Sequence, residues 1–237
     1  MLDVAAAQAI GPPSCWLLLA ETRALLAWPT FDLRSRCLTD LPHGDGHAVL
    51  VLPGFGANDY ATAALRRAIA RLGYTVSGWG CGVNLGLGHA KRGRLHQRLL
   101  ALHANHGPVS LVGWSLGGVF ARELARHDAD KVRQVITLGS PFTGNPTANN
   151  LQPVLRLLRG GKPLQIDWER VGRHAVPPPV PCTALHTRSD GIVNWHCCLE
   201  PPAVNTRNVE VHGSHSGLVF NTEVLRTIAQ LLAQPLD

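Results

Sequence analysis

Lysine and aromatic side chains are scarce in this chain, and it contains no long basic run. Only three of its 22 basic residues are lysine, and aromatic residues make up 5% of the sequence. A nucleic-acid binder needs a dense basic patch, and a single-strand binder also needs aromatic residues interleaved with it. The densest basic cluster, at 91–94, has no aromatic residue within it. We therefore interpret the net charge of +6 as solvated basic faces, and we predict no nucleic-acid partner.

A regular cysteine framework is also missing. The six cysteines include no C-x-x-C pair, and their spacing fits neither a disulfide scaffold nor a zinc motif. Buried reduced thiols are the expectation. A single disulfide bond from Cys182 to Cys197 or Cys198 remains an alternative.

The sequence lacks motifs for a cofactor or a metal. Gly86 and Gly88 begin a glycine pattern, but Lys91 stands where the third glycine of a dinucleotide-binding loop belongs. No compact ligand motif supports a metal site, although three distant residues, His212, His215 and Asp190, could be read as one. We predict neither a metal nor a cofactor.

No segment looks like a secretory leader or a membrane span. The one candidate is the apolar stretch from Cys15 to Trp28, and the residues before it include Asp3 but no lysine or arginine. At about 14 residues, broken by Glu21 and Arg23, this stretch is too short to cross a bilayer. We predict an amphipathic helix over 14–28 docked on the domain, and a cytoplasmic location. Transient contact with a membrane or lipid surface is the alternative.

The chain length and the hydrophobic pattern predict a single α/β domain over 1–237. With 45% hydrophobic residues, 237 residues can form one sizeable core. From residue 47 onward, short apolar segments alternate with helical patterns. This alternation predicts a mainly parallel sheet of about six strands with helices on both faces. The predicted strands begin near residues 47, 74, 109, 132, 182 and 208.

Two further segments have distinct patterns. Asn58 or Asp59 is predicted to cap a helix that ends at Gly73. The segment 142–181 is rich in asparagine, glycine and proline, with one short apolar helix predicted around 151–158. It is long for a plain loop, so we predict a cap or lid insertion there.

The sequence Gly-Trp-Ser-Leu-Gly at 113–117 lies between a predicted strand and a predicted helix. A strand that turns this sharply into a helix places Ser115 at the apex in a strained conformation. Gly113 and Gly117 leave room where any Cβ would collide. The helix N-terminus would then offer free N–H groups to a developing oxyanion.

Asp190 and His215 each follow the end of a later predicted strand, so that the chain order is Ser115, Asp190, His215. The carboxyl ends of parallel strands gather at one edge of a sheet. A serine between a strand and a helix, followed along the chain by an acid and then a histidine, predicts a catalytic triad. His215 would take the serine proton, and Asp190 would fix the imidazole tautomer. Less favoured candidates are His212 for the base and Asp167 or Glu200 for the acid.

The neighbours of these three residues complete the predicted site. The backbone N–H groups of Phe55 and Leu116 are the predicted oxyanion donors. Apolar side chains beside the triad could either pack in the core or contact an acyl group. The predicted substrate-binding residues are Trp114, Val193, Trp195 and Leu218.

From residue 47 to the C-terminus the sequence resembles α/β-hydrolases of the lipase/esterase group, especially compact bacterial triacylglycerol-lipase-like proteins. It is also similar to the hydrolase core of the GPI inositol-deacylase group. Four motifs carry the resemblance: Leu52-Pro53-Gly54-Phe55, the run from Gly113 to Gly118, Ser189-Asp190-Gly191-Ile192-Val193, and Gly213-Ser214-His215. The resemblance implies carboxylic-ester hydrolysis by a Ser-Asp-His triad without a cofactor. Two departures are Pro53-Gly54, where many lipases have His-Gly, and an N-terminal helix in place of antiparallel strands.

The leading hypothesis is a serine hydrolase that cleaves esters of apolar acyl groups, with a small-molecule or lipid ester as substrate. An acyltransferase that uses the same triad with an alcohol acceptor is one alternative. A non-catalytic binding module on the same fold is another. The sequence leaves the acyl chain length and the oligomeric state open.

Overall fold

A six-stranded parallel sheet forms the centre of the protein. The computed structural model describes residues 4–86 and 88–235. The sheet order is β2-β1-β3-β4-β5-β6, and every neighbouring pair is parallel. The predicted α/β class is confirmed. The strands are β1 (Ala48–Leu52), β2 (Thr75–Gly78), β3 (Val109–Trp114), β4 (Val132–Leu138), β5 (Cys182–His186) and β6 (Thr206–Glu210).

Helices cover both faces of the sheet because alternate strand side chains point to opposite sides. From β1, Val49 and Val51 belong to one hydrophobic cluster with α4 and α9, whereas Leu50 belongs to another with α5 and α6. The helices are α1 (Val4–Gln8), α2 (Cys15–Ala20), α3 (Ala24–Arg36), α4 (Ala63–Arg71), α5 (His89–His106), α6 (Leu116–His127), α7 (Gln152–Leu158), α8 (Trp168–Ala175) and α9 (Thr222–Leu232).

The helix predicted over 14–28 is interrupted. Ser14 caps α2 by accepting a hydrogen bond from Leu17 N, and a 3₁₀ turn over Glu21–Arg23 separates α2 from α3. In α3, Phe31 is buried in the core and packs edge-on against Phe220, with ring centroids 6.3 Å apart. Buried side chains of this segment therefore come from α3, whereas α2 has no buried residue.

The insertion 142–181 contains two helices, α7 as predicted and α8, which the sequence analysis did not predict. Asp167 caps α8 by accepting from Arg170 N at 3.0 Å. Arg122 and Arg126 of α6 both donate to the carbonyl oxygens of His174 and Val176. The C-terminal end of the insertion is therefore tied to α6. Its role as a cap or lid stays a prediction.

The predicted cap of α4 is wrong. The residue before this helix is Thr62, and Asn58 and Asp59 lie in the preceding loop. Asp59 accepts hydrogen bonds from Trp79 N and Gly80 N, at 2.9 and 3.0 Å. The carboxylate binds the backbone after β2, so the helix begins later than its local sequence suggested.

All six cysteines are free thiols, four of them buried and two, Cys15 and Cys37, exposed. The bridge left open between Cys182 and Cys197 or Cys198 is not present. Burial raises the pKa of Cys182 and of Cys197 to about 11, although nearby Arg122 opposes the shift at Cys182. Within 4–86 and 88–235, no helix has the length and apolar character that a bilayer crossing requires.

A buried ion pair joins α6 to the loop before β6. The side chains of Arg122 and Glu200 are both fully buried and hydrogen-bonded to each other, and the guanidinium lies 3.8 Å above the Phe142 ring. Removing one member of such a pair leaves an uncompensated charge in the interior.

We expect Arg122→Met to lower the free energy of unfolding by about 3–5 kcal/mol, because the Glu200 carboxylate loses its partner. The matched control is the double variant Arg122→Met with Glu200→Leu, which removes both charges and should be less destabilised than the single variant. Urea denaturation followed by tryptophan fluorescence measures both. A double variant at least as unstable as Arg122→Met would contradict this account.

Candidate active site

Ser115 stands at the turn between β3 and α6 in a strained backbone conformation. Its φ is 53° and its ψ is −124°, and among residues 4–86 and 88–235 it is the one non-glycine residue with positive φ. Such a conformation persists only where surrounding contacts impose it. Ser115 N donates to the carbonyl oxygen of Leu138 at the end of β4, at 2.8 Å, which holds the turn against the sheet.

Close backbone packing around the turn explains its glycines. A Cβ on Gly113 would lie 2.3 Å from the Cα of Gly118, and one on Gly117 would lie 2.4 Å from the carbonyl oxygen of Leu52. The loop after β1 also passes over Ser115, since a Cβ on Gly54 would lie 3.1 Å from the Ser115 Cβ. Substituting Gly113 or Gly117 would force the backbone apart.

The structure brings Asp190 and His215 together. Asp190 Oδ2 and His215 Nδ1 lie 2.6 Å apart, and both side chains are buried. The other carboxylate oxygen, Oδ1, accepts hydrogen bonds from Ile192 N and Val193 N, at 2.9 and 2.7 Å. These backbone bonds fix the orientation of the carboxylate, so its free oxygen holds the imidazole by Nδ1.

Ser115 and this Asp–His pair lie at the same edge of the sheet. Trp114, beside Ser115, donates from Nε1 to the carbonyl oxygen of His215 at 3.1 Å. Gly139 follows β4 directly, and a Cβ there would lie 3.0 Å from His215 Nδ1 and 3.2 Å from Asp190 Oδ2. The ends of β3, β5 and β6, at one edge of the sheet, thus supply the three predicted triad residues, with β4 lying between β3 and β5. Their catalytic roles stay a prediction.

The charge balance at His215 favours the imidazolium. Burial by itself would lower the pKa of this histidine, but the Asp190 carboxylate raises it, through its charge and through its hydrogen bond. The Glu21 carboxylate also raises it, and the net pKa lies above the usual 6.5. A base of this kind is stabilised in the charged form that it adopts after taking a proton.

Glu21 is the polar residue of this region that the sequence analysis did not assign to the site. Its Oε1 accepts hydrogen bonds from Gly191 N and His215 N, both at 2.9 Å, and its Oε2 accepts from Ser216 N at 2.8 Å. The sequence analysis treated it as a charge that breaks an apolar stretch. A single acidic residue in an apolar stretch is the one feature of the sequence that could have drawn attention to Glu21. It gives no indication that Gly191, His215 and Ser216 are its partners.

The backbone N–H groups of Phe55 and Leu116 are the two predicted oxyanion donors. Within the described part of the chain, neither Phe55 N nor Leu116 N donates to a protein acceptor. Leu116 is the first residue of α6, where backbone N–H groups have no partner inside the helix. Phe55 follows the Pro53-Gly54 turn that packs over Ser115. Both groups are therefore available to an oxygen atom, and their role stays a prediction.

The four predicted substrate-binding residues have different surroundings. Val193 and Leu218 are buried in hydrophobic clusters, which favours a packing role. Trp114 is partly buried beside Ser115. Trp195 stacks on the His186 and His196 rings, with centroids 5.5 and 3.7 Å away. Substrate contact stays a prediction for all four residues.

The alternative acids and base lie elsewhere. The His212 side chain is 95% exposed, and its Nδ1 lies 3.4 Å from Glu223 Oε2. Asp167 caps α8, and Glu200 is buried against Arg122. Because the His212 side chain is exposed to solvent, His212, His215 and Asp190 do not form a metal-binding cluster among the described residues.

Among the residues that the structure describes, one group of side chains could hold a metal ion. Ligand atoms of His96, His127 and Asp128 lie within 4.8 Å of one another. The Lys131 ammonium lies 3.5 Å from the Asp128 carboxylate and already balances its charge. This group sits at the far end of α6 from Ser115, about 18 Å along a helix of this length.

Several solved structures share the fold of this chain. No protein-family model matches the chain, and no curated protein matches it in sequence. One of the metagenome-derived lipolytic enzymes LipS and LipT is 13% identical, with a TM-score of 0.63 over 81% of this chain and 95% of that one. A monoacylglycerol lipase of Paleococcus ferrophilus is 16% identical, with a TM-score of 0.56 over 81% and 96%.

A third similar structure is the thioesterase domain from the curacin biosynthetic pathway. It is 14% identical, with a TM-score of 0.55 over 82% of this chain and 93% of that one. At these identities the likeness is one of fold. The strand order, the strained serine turn and these similarities together show that this chain has the α/β-hydrolase fold of lipases, esterases and thioesterases.

Proposed function

We propose that this protein is a serine hydrolase that cleaves carboxylic esters of apolar acyl groups. The observation that carries the proposal is the strained Ser115 turn at the same sheet edge as the 2.6 Å Asp190–His215 hydrogen bond. A serine hydroxyl becomes a useful nucleophile when a base can remove its proton, and that base needs a fixed tautomer. The likeness to lipases and esterases of known structure supports the same reaction class.

In the proposed reaction, Ser115 Oγ attacks the ester carbonyl carbon while His215 Nε2 takes the hydroxyl proton. The carbonyl oxygen gains the negative charge and accepts hydrogen bonds from Phe55 N and Leu116 N. The intermediate then collapses, the alkoxide leaves with the proton from His215, and an acyl-enzyme remains. Water, activated by the same imidazole, releases the acid and restores Ser115.

Ser115→Ala tests the nucleophile. We expect it to lower kcat on a short-chain nitrophenyl ester by about 10⁴-fold or more and to abolish labelling by a fluorophosphonate, because no acyl-enzyme can form. Ser77→Ala, on the edge strand β2, is the matched control and should keep activity and labelling. Wild-type protein that is inert across a panel of acyl chain lengths and stays unlabelled would overturn the proposal.

The pH dependence tests the base. His215 must be neutral to accept the serine proton, and its pKa in the folded protein lies above 6.5. Activity should therefore fall on acidification with a midpoint above pH 6.5, measured as kcat/KM.

Asp190→Asn probes the same charge interaction from the other partner. This substitution removes the carboxylate that raises the His215 pKa, so the acid limb should move to lower pH. We also expect kcat to fall by about 10³–10⁴-fold, because the tautomer is no longer fixed. An acid limb with the same midpoint in both proteins would argue against His215 as the titrating base.

We further propose that α2 and the start of α3 contact the surface of a lipid substrate. Large apolar side chains point to solvent on these helices, with Trp16 80% and Leu26 77% exposed. The other members of this surface are Leu19, Leu25 and Trp28. Exposed patches of this kind mark interaction sites, and aromatic and leucine side chains bury well at a membrane interface. Glu21, on the same segment, joins this surface to the triad loops.

Vesicle sedimentation tests the lipid contact. We expect wild-type protein to bind phosphatidylglycerol vesicles, and the double variant Trp16→Ser with Trp28→Ser to bind at least about tenfold more weakly, since two large apolar side chains leave the interface. Val204→Ser is the control. Val204 is exposed and lies just before β6, at the end of the strand opposite to the loop that contains His215. Equal binding of all three proteins would rule this surface out.

A further inference from the structure

Three backbone N–H groups from two separate loops converge on one carboxylate. Gly191 follows Asp190 in the loop after β5, and His215 and Ser216 lie in the loop after β6. All three N–H groups donate to Glu21, at 2.8–2.9 Å. Oε1 accepts from Gly191 and His215 together, so a single oxygen atom bridges the loop of the predicted acid and the loop of the predicted base.

Local structure fixes the position of Glu21. Its backbone caps α2, with its N–H donating to Leu18 O and Leu19 O. The following 3₁₀ turn is held by Thr22 Oγ1 and Arg23 Nε, which donate to Leu19 O and Ala20 O at 2.9 and 2.8 Å. The carboxylate is therefore presented from a hydrogen-bonded turn.

The segment that carries Glu21 has its own anchors on the same region. Asn150 Nδ2 donates to Pro13 O at 3.1 Å, and Asn194 Nδ2 donates to Gly11 O at 2.8 Å. The backbone of α2 touches the acid loop directly, since a Cβ on Gly191 would lie 2.2 Å from Leu17 O. Loss of the Glu21 carboxylate therefore need not detach the segment, and its effect on the site can be measured separately.

We propose that Glu21 is a positioning residue that sets the distance and orientation between Asp190 and His215. The inference rests on the proposed function. Charged acceptors make stronger hydrogen bonds than neutral ones, and here one charged group binds both loops. Without it, three partly buried N–H groups would lose their acceptor and the loops could shift independently. Misplacement of a catalytic group by about 1 Å can lower the rate by 10²-fold.

Glu21 also acts on the charge of His215. The Glu21 carboxylate binds the backbone N–H of His215, and its charge, like that of Asp190, raises the pKa of the imidazole against the lowering effect of burial. Removing the Glu21 charge should therefore lower the pKa of His215. A side chain with a merely structural role would change stability without moving this pKa.

Glu21→Gln is the test, because glutamine keeps the size but has one acceptor oxygen, and its NH₂ group faces a backbone N–H. We expect kcat on a nitrophenyl ester to fall about tenfold with KM nearly unchanged, and the acid limb of kcat/KM to move to lower pH. Glu21→Asp keeps the charge on a shorter side chain. It should retain more of the wild-type acid limb than Glu21→Gln while still lowering kcat.

The matched control is Glu223→Gln. Glu223 also binds the loop after β6, accepting from His212 N at 3.0 Å, but it touches neither Gly191 nor His215. It should leave kcat and the acid limb close to wild type. If Glu21→Gln also leaves both unchanged, the proposal is wrong. A rise in kcat would equally overturn it, because Glu21 would then be holding a segment that blocks the site.

A readout without turnover separates this inference from the proposed function. The short Asp190–His215 hydrogen bond should give a far-downfield proton resonance in wild type that shifts or broadens in Glu21→Gln and not in Glu223→Gln. If wild type is inert on esters, the proposed function fails while this comparison still tests the positioning role. If wild type is active and the resonance and acid limb are the same in Glu21→Gln, the positioning role alone fails.

Discussion

The close approach of three backbone segments around Ser115 is the constraint on which the site depends. The end of β3, the start of α6 and the loop after β1 meet where Gly113, Gly117 and Gly54 leave no space for a side chain. That contact forces Ser115 into positive φ and directs the first N–H groups of α6 toward the sheet edge. In the proposed function, a substrate group at the serine hydroxyl would therefore also meet backbone donors whose positions the fold has already set.

Most of the sheet could be predicted from the sequence because its signals are local. Parallel strands buried on both faces appear as continuous apolar runs, and the turn at Ser115 requires small residues at fixed positions. Asp190 and His215 follow β5 and β6, so their meeting at one edge follows from topology alone. The same reasoning extends to α9, where the apolar positions Val224, Leu225 and Ile228 are buried as their spacing suggests.

The features that the sequence analysis missed depend on distant partners. Asp59 has the ordinary appearance of a helix cap, yet it binds backbone N–H groups 20 and 21 residues later. Glu21 looks like an interruption in an apolar stretch, and its partners lie 170 or more residues along the chain. In both cases the carboxylate binds backbone N–H groups, which carry no side-chain signature. A single sequence therefore offers no pattern by which to find these partners.

The Glu21 contacts join residues 170 to 195 positions apart in the sequence, so they form late in the synthesis of this chain. α2 and α3 leave the ribosome long before the loop after β6 is synthesised. Phe31 of α3 likewise cannot pack against Phe220 until that later residue has been made. These helices therefore stay without the loop after β6 until it has emerged, and Phe31, which is buried in the folded protein, is exposed to water until then. The Glu21 contacts and the Asp190–His215 hydrogen bond can therefore form only after the loop after β6 has been synthesised, so the geometry of this sheet edge depends on a late folding step.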